Sequence, residues 1–304
     1  MRIPFRSFAA ALALLTMPVQ AQQAPPTPVA RTLVAAPDVP RPALWKVADA
    51  DTTIYLFGTI HALPKGIDWL DGPVATAFDS SGELVTEIVQ SSPEEMQSLV
   101  LGKAIQPPGQ SLRAQLSTTD RAAFDKAMTS FGLPVNAFDR FEPWYAAIAL
   151  ATLPIVKGGF DSDHGVEAVL DARAKALSRT HTGLETAEYQ LGLFDSLPPA
   201  VQRKYLREVI DDMPGIRTEL ETIVAEWKQG HADRLAELMN EDEDDPAMVA
   251  ALITNRNRNW AGWIKSRLDQ PGTVFIAVGA GHLAGKDSVQ EFLGKAGIVA
   301  ARVQ

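Results

Sequence analysis

The chain runs to 304 residues and carries 28 lysines and arginines against 37 aspartates and glutamates, for a formal charge of −9, with no cysteine. That acidity sets nucleic acid aside as a partner. The lack of cysteine rules out disulfides, a thiol nucleophile and a lipid anchor on an N-terminal Cys, while a 46% hydrophobic composition is enough for a substantial folded core.

At the N-terminus, Arg2 and Arg6 precede an apolar run from Phe8 to Val19, with small residues compatible with cleavage after Ala21. This reads as a secretory signal peptide. The run is shorter than the ~20 residues a bilayer span needs, and Pro18 and glutamines close it. A periplasmic or secreted product is therefore expected, with no stable membrane anchor after cleavage. Residues 1–21 hold two arginines and no acid, so the remainder has a charge of −11. Residues 22–42 are rich in Pro and Ala without periodicity and read as a flexible tether, leaving 43–304 as the folded domain.

The runs ALWKVA (43–48) and TIYLFGTI (53–60) are rich in strand formers, and Asp49-Ala50-Asp51-Thr52 between them predicts a hairpin. A helical stretch around 74–79 precedes a further strand candidate, ELVTEIV (83–89). From about 93 to 269 the periodicity turns helical, with starts at Ser92-Pro93-Glu94-Glu95, Ser117-Thr118-Thr119-Asp120 and Pro198-Pro199 and breaks at Gly132-Leu133-Pro134 and Gly158-Gly159. One strand candidate, THTGLE (180–185), interrupts it. The acidic run 241–245 lacks the glycine turn and alternating spacing of a calcium loop and reads as a solvated connection between helices. The chain then returns to α/β with TVFIAVGAG (273–281), the helix KDSVQEFLGKAG (286–297) and a closing strand IVAARV (298–303).

This order predicts an α/β (α+β) fold, in which a central mixed sheet is formed by the N- and C-terminal segments and a large helical insertion lies between them. TVFIAV is apolar on both faces and belongs in the middle of that sheet. Two of the five histidines end the same short pattern, Gly58-Thr59-Ile60-His61 and Gly279-Ala280-Gly281-His282, each directly after a strand candidate. If those strands share a sheet with their C-terminal ends on one edge, both imidazoles face the crevice where open α/β sheets bind ligands.

Histidines on rigid strand ends suit a metal ligand or a general base, and a glycine three residues earlier lets backbone or ligand approach closely. A carboxylate would complete a cation site. Glu87, late in its strand, belongs on the histidine edge, whereas Glu83 opens the same strand. Glu185 closes THTGLE, with a role at the following helix N-terminus as the alternative. Arg256 and Arg258, on a helix with Trp260 and Trp263, offer a cation for a carboxylate or an oxyanion, or surface ion pairs. The chain lacks a Gly-x-Ser-x-Gly elbow, a Walker-type loop and a His-Glu-x-x-His helix.

These residues resemble the TraB/GumN family from about Ala43 to Gln304: LWKV, IYLFGTIHALPKG with Trp69, HGVEAVL followed by GLETAEYQ, then RNRNW and VFIAVGAGHLAG. The resemblance implies a fold like that of erythromycin esterase-like and haem-binding ChaN-like proteins, and kinship with the Tiki metal-dependent proteases. It carries the site over to His61, Glu87 and His282, with Glu185 and Arg256 in support. Where the family usually has Gly-x-Asp this chain has Gly165-Val166-Glu167, and no catalytic role is assigned to that acid.

The leading expectation is an exported hydrolase of peptide, other amide or ester bonds, with a divalent cation (Mn, Co or Zn) on His61, His282 and Glu87. Glu185 and Arg256 would orient substrate or stabilise an oxyanion. The alternatives are a non-catalytic periplasmic binding protein for a peptide or a haem-like ligand, and a scaffold in which the two imidazoles lie far apart.

Overall fold

The computed structural model describes residues 39–240 and 245–304. The signal segment, most of the tether and acids 241–244 lie outside the described residues. Among those described, the strands are β1 (Leu44–Ala48), β2 (Thr52–Thr59), β3 (Leu63–Pro64), β4 (Glu83–Thr86), β5 (Phe160–Asp161), β6 (Thr180–Gly183), β7 (Gly272–Gly279) and β8 (Ala301–Arg302). Six of them form one mixed sheet in the order β6-β4-β7-β2-β1-β8, and β3 pairs with β5.

The first and last parts of the chain do pair. β2 and β7 run parallel over their full length, from Thr52 beside Gly272 to Thr59 beside Gly279, so the two Gly-x-x-His elements leave the sheet in register. β4 lies parallel to β7 and β6 parallel to β4. β1 is antiparallel to β2 through the expected hairpin, where Asp49 Oδ1 accepts from the backbone of Asp51 (3.1 Å) and Thr52 (2.8 Å).

Side-chain alternation divides the core between the two faces of the sheet. Phe57, Leu84, Phe275 and Ala277 join the large cluster under the helical insertion, while Ile54, Leu56, Val85, Val274, Ile276 and Val278 pack with Trp260, Ile264 and Leu293 on the other face. A strand buried on both sides has no polar face to show, which is why TVFIAV reads as an unbroken apolar run. The helix starts also follow the chain: Ser92 and Glu95 form a capping box ahead of helix Pro93–Lys103, Ser117 caps Thr118–Ser130, and Pro199 opens Pro199–Asp212. Among the described residues no helix is long and apolar enough to cross a membrane.

Three strands are shorter than the segments expected to form them. ELVTEIV pairs only to Thr86, because Thr86 Oγ1 then bonds the Ile88 carbonyl (2.7 Å) and turns the chain, leaving Glu87 beyond the strand and not inside it. THTGLE ends at Gly183, and IVAARV is reduced to Ala301–Arg302 at the sheet edge, where β1 is its partner.

Asp212 ends helix Pro199–Asp212 with 8% of its surface exposed and no partner for Oδ1. Burial, then the nearby Glu219, Glu208 and Asp211, push its carboxyl up to about 7. The folded state therefore holds a proton that the unfolded chain releases near pH ~4. The associated stability is full below the unfolded pKa and is lost as pH rises through the folded one. Asp212→Asn is expected to melt like the parent at pH 4 and to be more stable by about 2 kcal/mol at pH 8. Thermal melts across that range check this; an offset independent of pH would contradict it.

Candidate functional site

Each of the four parallel strands is followed within three residues by a polar side chain: His61 after β2, Glu87 after β4, Glu185 after β6 and His282 after β7. Parallel pairing puts all four at one sheet edge, so residues far apart in sequence become neighbours. All four polar elements are buried or nearly so, with His61 9%, Glu87 3% and His282 4% exposed.

The glycines of the two Gly-x-x-His patterns do different work. A Cβ on Gly58 would meet Ala280 at 3.1 Å, so Gly58 lets the two strand ends close on each other. A Cβ on Gly279 would instead sit 3.2 Å from Glu87 Oε1, 3.4 Å from His282 Cδ2 and 3.8 Å from His61 Nε2. Gly279 is the point on which these three side chains converge, and its lack of a Cβ is what lets them approach.

Helix Asn255–Arg267 closes the site, preceded by a π-helical turn, Ala250–Thr254, of a kind that recurs at functional sites. Its buried face is polar where it meets the strand ends (Arg256, Asn257) and apolar beyond them (Trp260, Ala261, Ile264). Arg256, 1% exposed, binds Glu185 through Nε (3.0 and 3.1 Å) and Nη2 (2.9 Å), and Nη2 also makes a short contact with Glu87 Oε2. Its Nη1 donates to the Leu252 carbonyl (3.1 Å) and lies 3.3 Å from His282 Nε2. Trp260 Nε1 donates to Glu185 Oε1 (2.9 Å), and the Trp260 ring lies under the guanidinium, 4.7 Å away. Glu185 is thus a structural partner of Arg256, and the cap of the following helix is Thr186. Arg258 is exposed, bonded to Asn255 Oδ1 and stacked on Phe292, and takes no part.

Three polar residues at the site carry no role in the expectations drawn from the sequence. Gln190 donates to Glu87 Oε2 (3.0 Å) and Glu185 Oε2 (2.9 Å). Asn257 Oδ1 lies 2.6 Å from His282 Nδ1 and its amide donates to the Asp287 carbonyl. Glu167, set aside because it replaces the usual Asp, places Oε1 2.5 Å from His61 Nδ1, a close ionic contact outside hydrogen-bond alignment, and accepts from Thr59 Oγ1 (2.5 Å). The longer side chain reaches His61 because helix Val166–Ala176 starts against β2's exit, where Val166 N donates to the Ile60 carbonyl (3.1 Å). The sequence signals for these residues were their motifs, HGVEAVL, GLETAEYQ and RNRNW.

The electrostatics follow from this packing. Burial opposes charge on Glu87, but Arg256, His282, His61 and the Gly279 N–H (2.8 Å to Oε1) hold its carboxyl well below the usual range. Burial likewise opposes charge on His61, and Glu167 with Glu87 overcomes it, raising the imidazole to about 9. His282 goes the other way: burial and then Arg256 lower it to about 3, so its Nε2 keeps a lone pair. With His61 charged and His282 neutral, Glu87, Glu167, Glu185, Arg256 and His61 sum to a formal charge of −1 in a largely buried cluster, so a cation bound there would take the place of the His61 proton.

A mixed sheet whose parallel edge gathers two Gly-x-x-His histidines, glutamates and an arginine marks a class of α/β proteins with one polar site built from both ends of the chain. Within that class, the chain belongs to the TraB/PrgY/gumN family, whose model matches residues 43–302. It is also similar to an uncharacterized protein of Treponema pallidum (strain Nichols), 22% identical over 278 residues that cover 83% of this chain and 80% of the relative. No solved structure matches.

Proposed function

We propose that this protein is an exported hydrolase of peptide, other amide or ester bonds that uses a divalent cation held by His61, His282 and Glu87. The observation that carries this reading is His61, a buried histidine whose two ring nitrogens lack hydrogen-bond partners and whose Nε2 lies, with Glu87 Oε1 and His282, against Gly279. Among the described residues no three His, Cys, Asp or Glu side chains already stand at ligating distances. Arg256 accounts for this, since its guanidinium binds Glu87 and faces His282 Nε2; His282 would be able to hold a cation only with Nη1 moved away.

The donor set suits Mn²⁺, Co²⁺ or Zn²⁺. His282 is oriented through Nδ1 by Asn257, the arrangement that metal-binding histidines need, while Glu167 stands beside His61 Nδ1 as a charge partner. A bound cation supplies Lewis acidity and makes water a nucleophile at neutral pH. Glu87 would complete the ligand set or accept a proton from water, and Arg256 would supply positive charge for a developing oxyanion. Glu185 holds Arg256 in reach. The basic and then apolar N-terminal segment supports export.

Metal analysis of the purified protein, with hydrolysis of a peptide library and model esters with and without chelator, tests this reading. The double variant His61→Ala/His282→Ala is expected to lose bound metal and at least ~10²-fold in kcat/KM. Retention of full hydrolysis and metal content would sink the assignment, and metal retained by the parent without any turnover would favour the binding-protein alternative.

A further inference from the structure

Helix Val166–Ala176 reaches the site edge at two points. Glu167, in its first turn, contacts His61; one turn later and on the same side, Asp171 Oδ1 lies 2.9 Å from Nδ1 of His181 on β6. His181 Nε2 lies 2.8 Å from Thr86 Oγ1 at the end of β4. Thr86 Oγ1 is thus shared between the Ile88 carbonyl, to which it donates (2.7 Å), and His181 Nε2. The residue enclosed by the Thr86–Ile88 bond is Glu87.

That turn decides where Glu87 points. A continued strand would keep Glu87 in the pleat alternation, where its neighbours Thr86 and Ile88 face the opposite way. Instead the chain turns at Thr86 while its backbone stays tied to the β6 exit, with Leu184 N on the Thr86 carbonyl and Glu185 N on the Glu87 carbonyl, both 2.8 Å. A hydroxyl-to-carbonyl bond across two residues is a weak lock by itself. The half-buried imidazole behind it, fixed by a carboxylate that Lys175 also holds (2.5 Å), makes it rigid.

We propose that His181, oriented by Asp171, is a positioning residue that acts through Thr86 to aim Glu87 at the cation site. One helix, through Glu167 and Asp171, then sets two of the three proposed ligands. This rests on the hydrolase reading above. A histidine that merely satisfies its hydrogen bonds next to a strand end would look similar in structure but would not govern Glu87.

The test compares Thr86→Val, Thr86→Ser, His181→Leu and His181→Gln in the full chain. Mn²⁺ affinity is measured from free-ion electron paramagnetic resonance, beside kcat, KM and Tm. Thr86→Val and His181→Leu are expected to weaken Mn²⁺ binding about 10-fold or more and to lower kcat with little change in KM. Thr86→Ser and His181→Gln, which keep the hydroxyl and the donor, are expected to recover most of both. If His181→Leu does not fold, the near-isosteric Thr86→Val carries the comparison. Variants that lose Tm but keep the parent's Mn²⁺ affinity and kcat would overturn the positioning role alone. A parent protein that binds no Mn²⁺ and cleaves nothing would overturn the hydrolase reading, and this role with it.

Discussion

Gly279→Ala is expected to abolish cation binding and hydrolysis while leaving the protein folded, at a smaller cost in stability than Gly58→Ala. Gly279 has φ −48° and ψ 134°, which any residue adopts, so alanine introduces no backbone strain. Replacing glycine at such a position even favours the folded state by about 0.4–1 kcal/mol through the unfolded chain. The new methyl, however, lands 3.2 Å from Glu87 Oε1 and 3.8 Å from His61 Nε2, in the space the cation needs. A displacement of about 1 Å at a reacting centre costs on the order of 10²-fold, and a blocked site costs more. Gly58→Ala is the counterpart: its Cβ meets Ala280 at 3.1 Å between two strands, so the expected effect is a loss of about 1–3 kcal/mol through overpacking. Urea melts and Mn²⁺ titration of the two variants give opposite patterns if the two glycines are assigned correctly. A Gly279→Ala protein that still bound Mn²⁺ would remove the proposed site.

Much of the fold was legible because burial leaves a periodic record. TVFIAV is central and apolar on both faces, Ser92 and Ser117 cap helices, and the Gly-x-x-His elements follow strands that pair in register. The proposed ligands were legible for a related reason, since a polar residue directly after an apolar strand is placed by the strand itself. What could not be read was anything held by a side-chain bond across the insertion. Strand length at Thr86 depends on a hydroxyl-to-carbonyl bond, and the roles of Gln190, Asn257 and Glu167 depend on helices from three separate stretches converging on the sheet edge. Glu167 is the instructive case. Its motif was visible, but whether one extra methylene reaches His61 depends on where helix Val166–Ala176 begins, which the Val166–Ile60 backbone bond decides.

Arg256→Met is expected to cost about 3–5 kcal/mol of stability, because it removes the guanidinium bonded to two buried carboxylates. Glu87 and Glu185 are both bonded to the same guanidinium, and Gln190, the other side chain they share, is neutral. Arg256→Lys is expected to recover only part of the loss, since an ammonium cannot span both acids with a planar fork. Adding Glu87→Gln and Glu185→Gln to Arg256→Met removes the charges and should restore much of the stability, a coupling that urea melts at constant m-value would measure. The same variant separates a cation site from a purely structural ion-pair network. Without Arg256 the cluster becomes more negative and His282 Nε2 loses its competing donor, so Mn²⁺ should stabilise Arg256→Met more than the parent, by RT ln(1 + [Mn²⁺]/Kd). A destabilised Arg256→Met protein whose melting is indifferent to Mn²⁺ would mean that Arg256 serves the fold alone and that the space above Gly279 takes no cation.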